Sequence, residues 1–242
     1  MKKLALILFL ILLLPLRAEA AFSLDGTANN SALASAAPTV TLSTSHANDV
    51  IFMCANIAHT GTNSTITSVS GSSLGSFTLA ANTASTFAGN LSCWYKVAAS
   101  ALTSEVITAT VASASGFQAL SAWGVNGANT TTIFDSNPSI PVEASGFSLP
   151  AQYISTTATK TFIIGVGANS SGCFSGVPSG CGPGSGWTNI NSGNFLVTEY
   201  QIVSSPQTNL QITSSGGGDT AIVGTALILP AAASGMLQNG DF

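Results

Sequence analysis

Positive charge is almost missing from this 242-residue chain, which holds five Lys and Arg in all. Three of the five, Lys2, Lys3 and Arg17, lie in the first twenty positions, so that only Lys96 and Lys160 face eight carboxylates beyond them, a net charge of −6. Binding along a polyphosphate backbone needs clustered Lys and Arg to displace counterions, and nucleic acid is therefore not an expected partner. Histidine is as scarce. His46 and His59 are the two present; with Asp49 they could offer metal ligands, but their spacing across an apolar run matches no helical ligand pair, which leaves them as solvated loop residues. Long apolar stretches are also lacking after the N-terminus, so no membrane span is expected in the mature chain.

Helical periodicity is absent beyond the first twenty residues. Those residues combine Lys2-Lys3, an apolar run from Leu4 to Leu16 and Ala18-Glu19-Ala20, the pattern of a cleavable secretory signal over 1–20. No Cys follows the run where a lipid anchor would need one. The expected mature chain begins at Ala21, outside the cytoplasm, with a surface built from Ser, Thr, Asn and Gly in place of charge.

What is abundant is the short apolar run. Asp49–Ile57 ("DVIFMCANI"), Leu91–Val97, Val106–Val111, Thr161–Val166 and Ala221–Leu229 are rich in β-branched and aromatic residues and are parted by Gly, Asn, Ser and Pro. This spacing predicts an all-β fold of roughly a dozen strands. The apolar share of 45% argues against a disordered Ser/Thr-rich stalk.

The runs also repeat. At an offset of 105, Tyr95 matches Tyr200, Val97 matches Ile202, Ile107 matches Ile212, Phe117 matches Ile222 and Trp123 matches Ile228. Upstream, "STSHANDVIFMCAN" from Ser43 matches "STTATKTFIIGVGA" from Ser155 at an offset of 112, and Phe77 in "GSFT" matches Trp187 in "SGWT". Two copies, about 39–127 and 151–230, thus share one strand order. Between them Gly127–Pro150 reads as a packed crossover. A period near 100 residues is too long for a solenoid, and the reading is one double-sheet, jelly-roll-like β-sandwich over 21–234 with an internal pseudo-repeat. Two tandem immunoglobulin-like sandwiches are the alternative.

Several segments, "NDVIFMCANI", "ITSVSGSSLGSFTLA", "LSCWYKVAAS", "ALSAWGVNGANTTTIFD", "GSGWT", "TEYQIV" and "AIVGTALILP", resemble a group of poorly characterised exported bacterial and phage-associated β-sandwich modules. The resemblance spans most of the mature chain and is one of pattern. It implies a non-catalytic role and supplies no ligand.

Alternation along a strand places every second side chain on one face. Cys93, Tyr95 and Val97, with Thr198, Tyr200 and Ile202, are expected to face the core; Trp94, Lys96, Glu199 and Gln201 are expected outside. Val50, Phe52 and Cys54 form an inward set whose counterparts are Phe162, Ile164 and Val166. Four cysteines in an exported chain suggest two disulfides. Cys173 and Cys181 bracket a Gly/Pro loop and would pair, leaving Cys54 for Cys93; metal binding by the short pair is the alternative.

"GSSLG" at Gly71–Gly75 fits the Gly-x-Ser-x-Gly pattern with Ser73 as nucleophile, but both histidines precede it and no helix follows, so the match is read as chance. Asp135 in "FDSNP" and Asp219 in "GGGDT" could offer oxygens to Ca²⁺, yet each is also what a turn selects. No metal, cofactor or catalytic residue is assigned, and no pair of carboxylates stands out as a glycosidase couple. The binding candidates are aromatic. Trp94 on a neutral polar sheet could stack on a sugar ring, and Trp187 is the second candidate, although its match to Phe77 favours a structural anchor. Trp123 is expected in the core. "LQNGDF" at Leu237–Phe242 resembles the opening strand of carbohydrate-binding sandwich modules; residues 235–242 are read as a tail or as the start of a further module. The expected function is that of a secreted structural or surface-interaction protein with a protein surface as partner, possible as an oligomer; the alternative is a carbohydrate-binding module.

Overall fold

The computed structural model describes residues 21–33, 35–57, 65–85, 89–113, 116–146, 152–169, 182–193, 195–212 and 220–230. The expected signal segment, the Cys173–Cys181 pair, His59, Asp219 and the C-terminal "LQNGDF" lie outside the described residues. Within them the chain is an all-β sandwich of antiparallel sheets. Sixteen strands are formed: β1 (Ser23–Leu33), β2 (Thr39–Leu42), β3 (Asp49–Ile57), β4 (Ile66–Gly71), β5 (Gly75–Ser76), β6 (Thr78–Ser85), β7 (Gly89–Ala98), β8 (Glu105–Val111), β9 (Phe117–Asn126), β10 (Val142–Gly146), β11 (Gln152–Ile154), β12 (Thr161–Asn169), β13 (Thr188–Gly193), β14 (Leu196–Val203), β15 (Leu210–Ile212) and β16 (Thr220–Ile228). The excess over a dozen comes from pieces such as β5 and β11, too short to show alternation.

Two five-stranded sheets dominate, with orders β1-β9-β3-β7-β6 and β10-β16-β12-β14-β13. Four strands of each come from one copy of the repeat, and the fifth, β1 or β10, precedes that copy. They face each other across the largest core, where Val50, Phe52, Cys54 and Trp123 of one sheet meet Phe162, Ile164, Val166 and Leu227 of the other. Phe52 stacks on Trp123 with centroids 5.5 Å apart, and Phe162 stacks on Tyr200 at 4.7 Å. The inward parity of β3 and β12 is borne out. The join contributes Ile133 and Phe134 to this core, and Phe134 forms a bridge to Leu227.

Each large sheet carries a smaller one on its other face. A four-stranded sheet, β2-β8-β4-β5, covers Ile51, Met53, Ala55 and Leu120 through Val40, Leu42, Ile107 and Ala109. A two-stranded sheet, β11-β15, sets Ile154 and Ile212 over Ile163, Ile222 and Ala226. All nine residues of β3 are buried, as expected for a strand with apolar layers on both sides.

This layering corrects three expectations. Glu199 is fully buried, because the face called outer lies beneath other residues, and Trp94 packs against the core under the four-stranded sheet. Ile202, expected inside, is 48% exposed near the end of β14. The match of Trp123 to Ile228 fails as well. Phe52 pairs with Trp123, and its counterpart Ile164 pairs with Thr225, so the last strands correspond at an offset of 102. The sequence match ran through the β15–β16 connection, where three residues fewer shift the register. Trp123 is nonetheless fully buried.

Elsewhere the repeat extends to single bonds. Thr44 N–H donates to Leu102 O and Thr156 N–H to Gln207 O, both at 3.0 Å. Leu102 N–H donates to Thr44 Oγ1 at 3.1 Å, and Gln207 N–H to Thr156 Oγ1 at 3.0 Å. Ser104 and Asn209, each at positive φ (51° and 52°), donate their amides to Ser43 Oγ and Ser155 Oγ. The bulge between Leu79 and Ala81 recurs between Asn189 and Asn191.

Candidate functional site

Ionisable side chains converge where the loop before β3 meets the start of β1 and the end of β9. Asp25 sits on β1 opposite Gly124 of β9, at a register shift in that pairing. Its carboxylate accepts Ser45 N–H at 3.0 and 2.9 Å, His46 N–H at 2.9 Å and the His46 ring N–H at Nδ1 at 2.9 Å. A carboxylate is acceptor-only, so Nδ1 carries the proton in this bond. Burial alone would raise the pKa of Asp25, but the bonds from the His46 side chain and the Ser45 amide outweigh it and hold the group below the ordinary carboxylate value.

Asp49 opens β3 and is fully buried. Asn126 Nδ2 donates to its Oδ1 at 2.9 Å, whereas Oδ2 receives no donor. The two carboxyls act on each other, and burial first, then the Asp25 carboxyl, pushes Asp49 up to about 6. Gly124 leaves the space for this arrangement. A Cβ there would stand 2.5 Å from Asp25 O and 3.4 Å from Asp49 Oδ2. His46 is the solvent-exposed member, its side chain 58% accessible. Chemically the cluster can hold one proton between two carboxyls beneath an exposed imidazole.

The equivalent loop of the second copy is held by the same clamp, from Asp135 of the join, without the titrating pair. Asp135 accepts Thr157 N–H at 3.0 and 2.9 Å and Ala158 N–H at 2.7 Å, with Asn137 N–H and Thr157 Oγ1 completing the set. Thr157 and Ala158 are the counterparts of Ser45 and His46, and Thr161 stands where Asp49 stands. These bonds outweigh burial and hold Asp135 low. Of the two readings of Asp135, turn former and Ca²⁺ ligand, its bonds fit the first.

A third carboxylate, Glu105 of β8, holds the "GSSLG" turn. It accepts Ser73 N–H at 2.8 Å, Leu74 N–H at 3.1 Å, Ser73 Oγ at 2.5 Å and Ser72 Oγ at 3.1 Å, and these bonds outweigh burial to keep it low. Ser73 is thus a donor in a capped turn. In the other copy Gly184 N–H, counterpart of Leu74 N–H, donates to Glu199 Oε2 at 2.8 Å. One copy caps this loop from the outer sheet and the other from the central sheet. Trp94 with Glu105 has exchanged places with Glu199 and Leu210. Glu199 Oε1 receives no donor, and burial pushes the group up to about 7.

The aromatic candidates belong to different small cores, Trp94 to the first and Trp187 to the second. Trp94 is half-buried, and its Nε1 donates to Ser92 Oγ at 3.0 Å. Its cross-strand neighbour Leu79 is 47% exposed. Trp187 is 8% exposed, packed in the second small core as Phe77 is in the first, which fits the anchor reading. Cys54 and Cys93 form the disulfide expected of them, at directly paired positions of β3 and β7. No group of three or more His, Cys, Asp or Glu among the described residues is placed to hold a metal ion, and no described helix is long and apolar enough to cross a membrane.

Asp25 escaped the sequence reading, in which Asp49 figured only beside His46 and His59 as a metal-ligand reading set aside. The faint signal was "LDG" against "FDS", an Asp match at an offset of 110 outside the two copies as delimited. No family model, curated protein or solved structure matches this chain.

Proposed function

We propose that this chain is an exported, non-catalytic sandwich that serves as a structural or surface-interaction module. The observation that carries the reading is the use of its carboxylates. Asp25 and Asp135 clamp equivalent loops, and Glu105 and Glu199 cap equivalent turns, so four of the carboxylates among the described residues serve to hold loops and turns. A surface so poor in charge suits contact with other protein surfaces, because little desolvation of ions opposes association. Apolar side chains exposed on separate strands, Leu79, Val106, Phe117, Tyr153 and Ile202, would supply contact area. The Cys54–Cys93 disulfide is compatible with an oxidising, extracytoplasmic location.

A carbohydrate-binding module is the second reading. It draws on the half-buried Trp94 beside exposed Leu79 and Asn82. Sedimentation of the oxidised protein from Ala21 to Phe242, run beside a glycan-binding screen with Trp94→Ala, separates the two. Concentration-dependent association that sugars leave unchanged is the expected result. Glycan binding that disappears in Trp94→Ala would replace the first reading with the second.

A further inference from the structure

We infer that Asp25 and Asp49 form a proton-binding latch, which holds the Ser43–Asn48 loop closed when a proton bridges the two carboxyls and loosens it when that proton is lost. The geometry leaves a proton as the natural occupant. Asp49 is fully buried with Oδ2 undonated, and that oxygen lies against Gly124, the cross-strand partner of Asp25, so that the two carboxyls act on each other. Asp25 Oδ2 already accepts Ser45 N–H, His46 N–H and the His46 Nδ1 proton, whereas Oδ1 accepts Ser45 N–H and keeps room for a further donor. A protonated Asp49 donates its O–H to Asp25, and two facing acceptors become one hydrogen bond. Solvent supplies the proton, and no other bond changes.

The second copy is the internal control. Its loop is clamped by Asp135 through the same amides, yet Ala158 replaces His46 and Thr161 replaces Asp49. The fold requires the clamp; the second carboxyl and the imidazole are additions in one copy. The groups bearing on Asp49 come from each neighbouring element: Asp25 on β1, His46 in the loop and the neutral Asn126 on β9, while Ala98 faces it from β7. The His46 ring draws Asp49 toward ionisation, but burial is the larger influence and acts the other way.

The sign follows. Burial and Asp25 raise the pKa of Asp49 in the closed loop to about 6 from its ordinary value of 3.8, so the closed state gains proton-linked stability at low pH and loses it as pH rises through about 6. From pH 5 to 8 the loop-opening equilibrium should increase about tenfold.

Amide hydrogen exchange of the full oxidised chain, read by NMR at pH 5 and near pH 8 and corrected for intrinsic rates, tests this. Protection of Ser45 and His46 should fall about tenfold relative to that of Thr157 and Ala158 in the same molecule. Asp49→Asn, or Asp49→Thr to copy the second copy, should abolish the difference, whereas His46→Ala should keep it. Parallel behaviour of the two loops in the unmodified protein would overturn the latch. A response that survives Asp49→Asn but vanishes in His46→Ala would also overturn it, making the imidazole the sensor.

Discussion

Glu199 shows at a single residue how burial and incomplete bonding set pH dependence. One oxygen accepts Gly184 N–H, the other receives nothing, and the group is pushed up to about 7 from an ordinary 4.5. A raised carboxyl binds its proton more tightly in the folded state, so the linked stability is fully present below about 4.5 and is lost as pH rises through about 7. Ionising it costs on the order of 3 kcal/mol. Glu199→Gln keeps an acceptor for Gly184, and chemical denaturation should find this variant more stable than the unmodified protein at pH 8 but not at pH 4.5. Equal shifts at both pH values would refute the assignment. The low-lying carboxylates act oppositely: Asp135→Ala leaves the Thr157 and Ala158 amides without their acceptor and should cost about 2 kcal/mol at pH 7, measured as a lower denaturant midpoint. An unchanged midpoint would mean that water replaces the carboxylate without loss.

Among elements, β3 and β7 carry the disulfide, and their counterparts in β12 and β14 place Val166 and Thr198 at the same positions. The pairing of those strands therefore does not depend on a covalent link. Cys54→Val with Cys93→Thr should leave the β-sheet circular dichroism intact while lowering stability by up to about 4 kcal/mol, the chain-entropy contribution of a loop closed across a separation of 39. Loss of sheet signal would show that the second copy's solution does not transfer. Thr198 Oγ1 sits 3.0 Å from Ser121 Oγ, which also accepts Asn191 Nδ2 at 2.8 Å, so this polar contact between the facing sheets would be adjoined by a new hydroxyl. Enrichment in β-branched and aromatic residues made β3, β7, β8, β12 and β16 legible in the sequence, because each run is long enough to stand out between Gly, Asn, Ser and Pro. Alternation could not tell that the outer faces of β7 and β14 were covered, since a strand between two layers and one facing water can carry the same mixed residues when a buried carboxyl is bonded to a loop.

For the whole molecule, the shared core between the five-stranded sheets couples the two copies. Phe52, Trp123 and Phe162 are all fully buried there. Phe162→Ala should destabilise by about 3–5 kcal/mol. Thermal unfolding should remain one transition by tryptophan fluorescence and by circular dichroism, because Trp94 and Trp123 lie in one copy, Trp187 in the other, and the core joins them. Separate transitions for the two probes would show that each copy unfolds alone. The sequence by itself determined the β class, the duplication, the inward set of β3 and β12 and the Cys54–Cys93 pair, since these depend on local periodicity and on few possible partners. Only the tertiary structure decided that a second layer lies over each large sheet, that Asp25 clamps the loop carrying His46, and that Asp49 comes to rest against it. Those outcomes depend on which distant segments meet, and the energy of a buried carboxyl is set by the neighbours that replace its water.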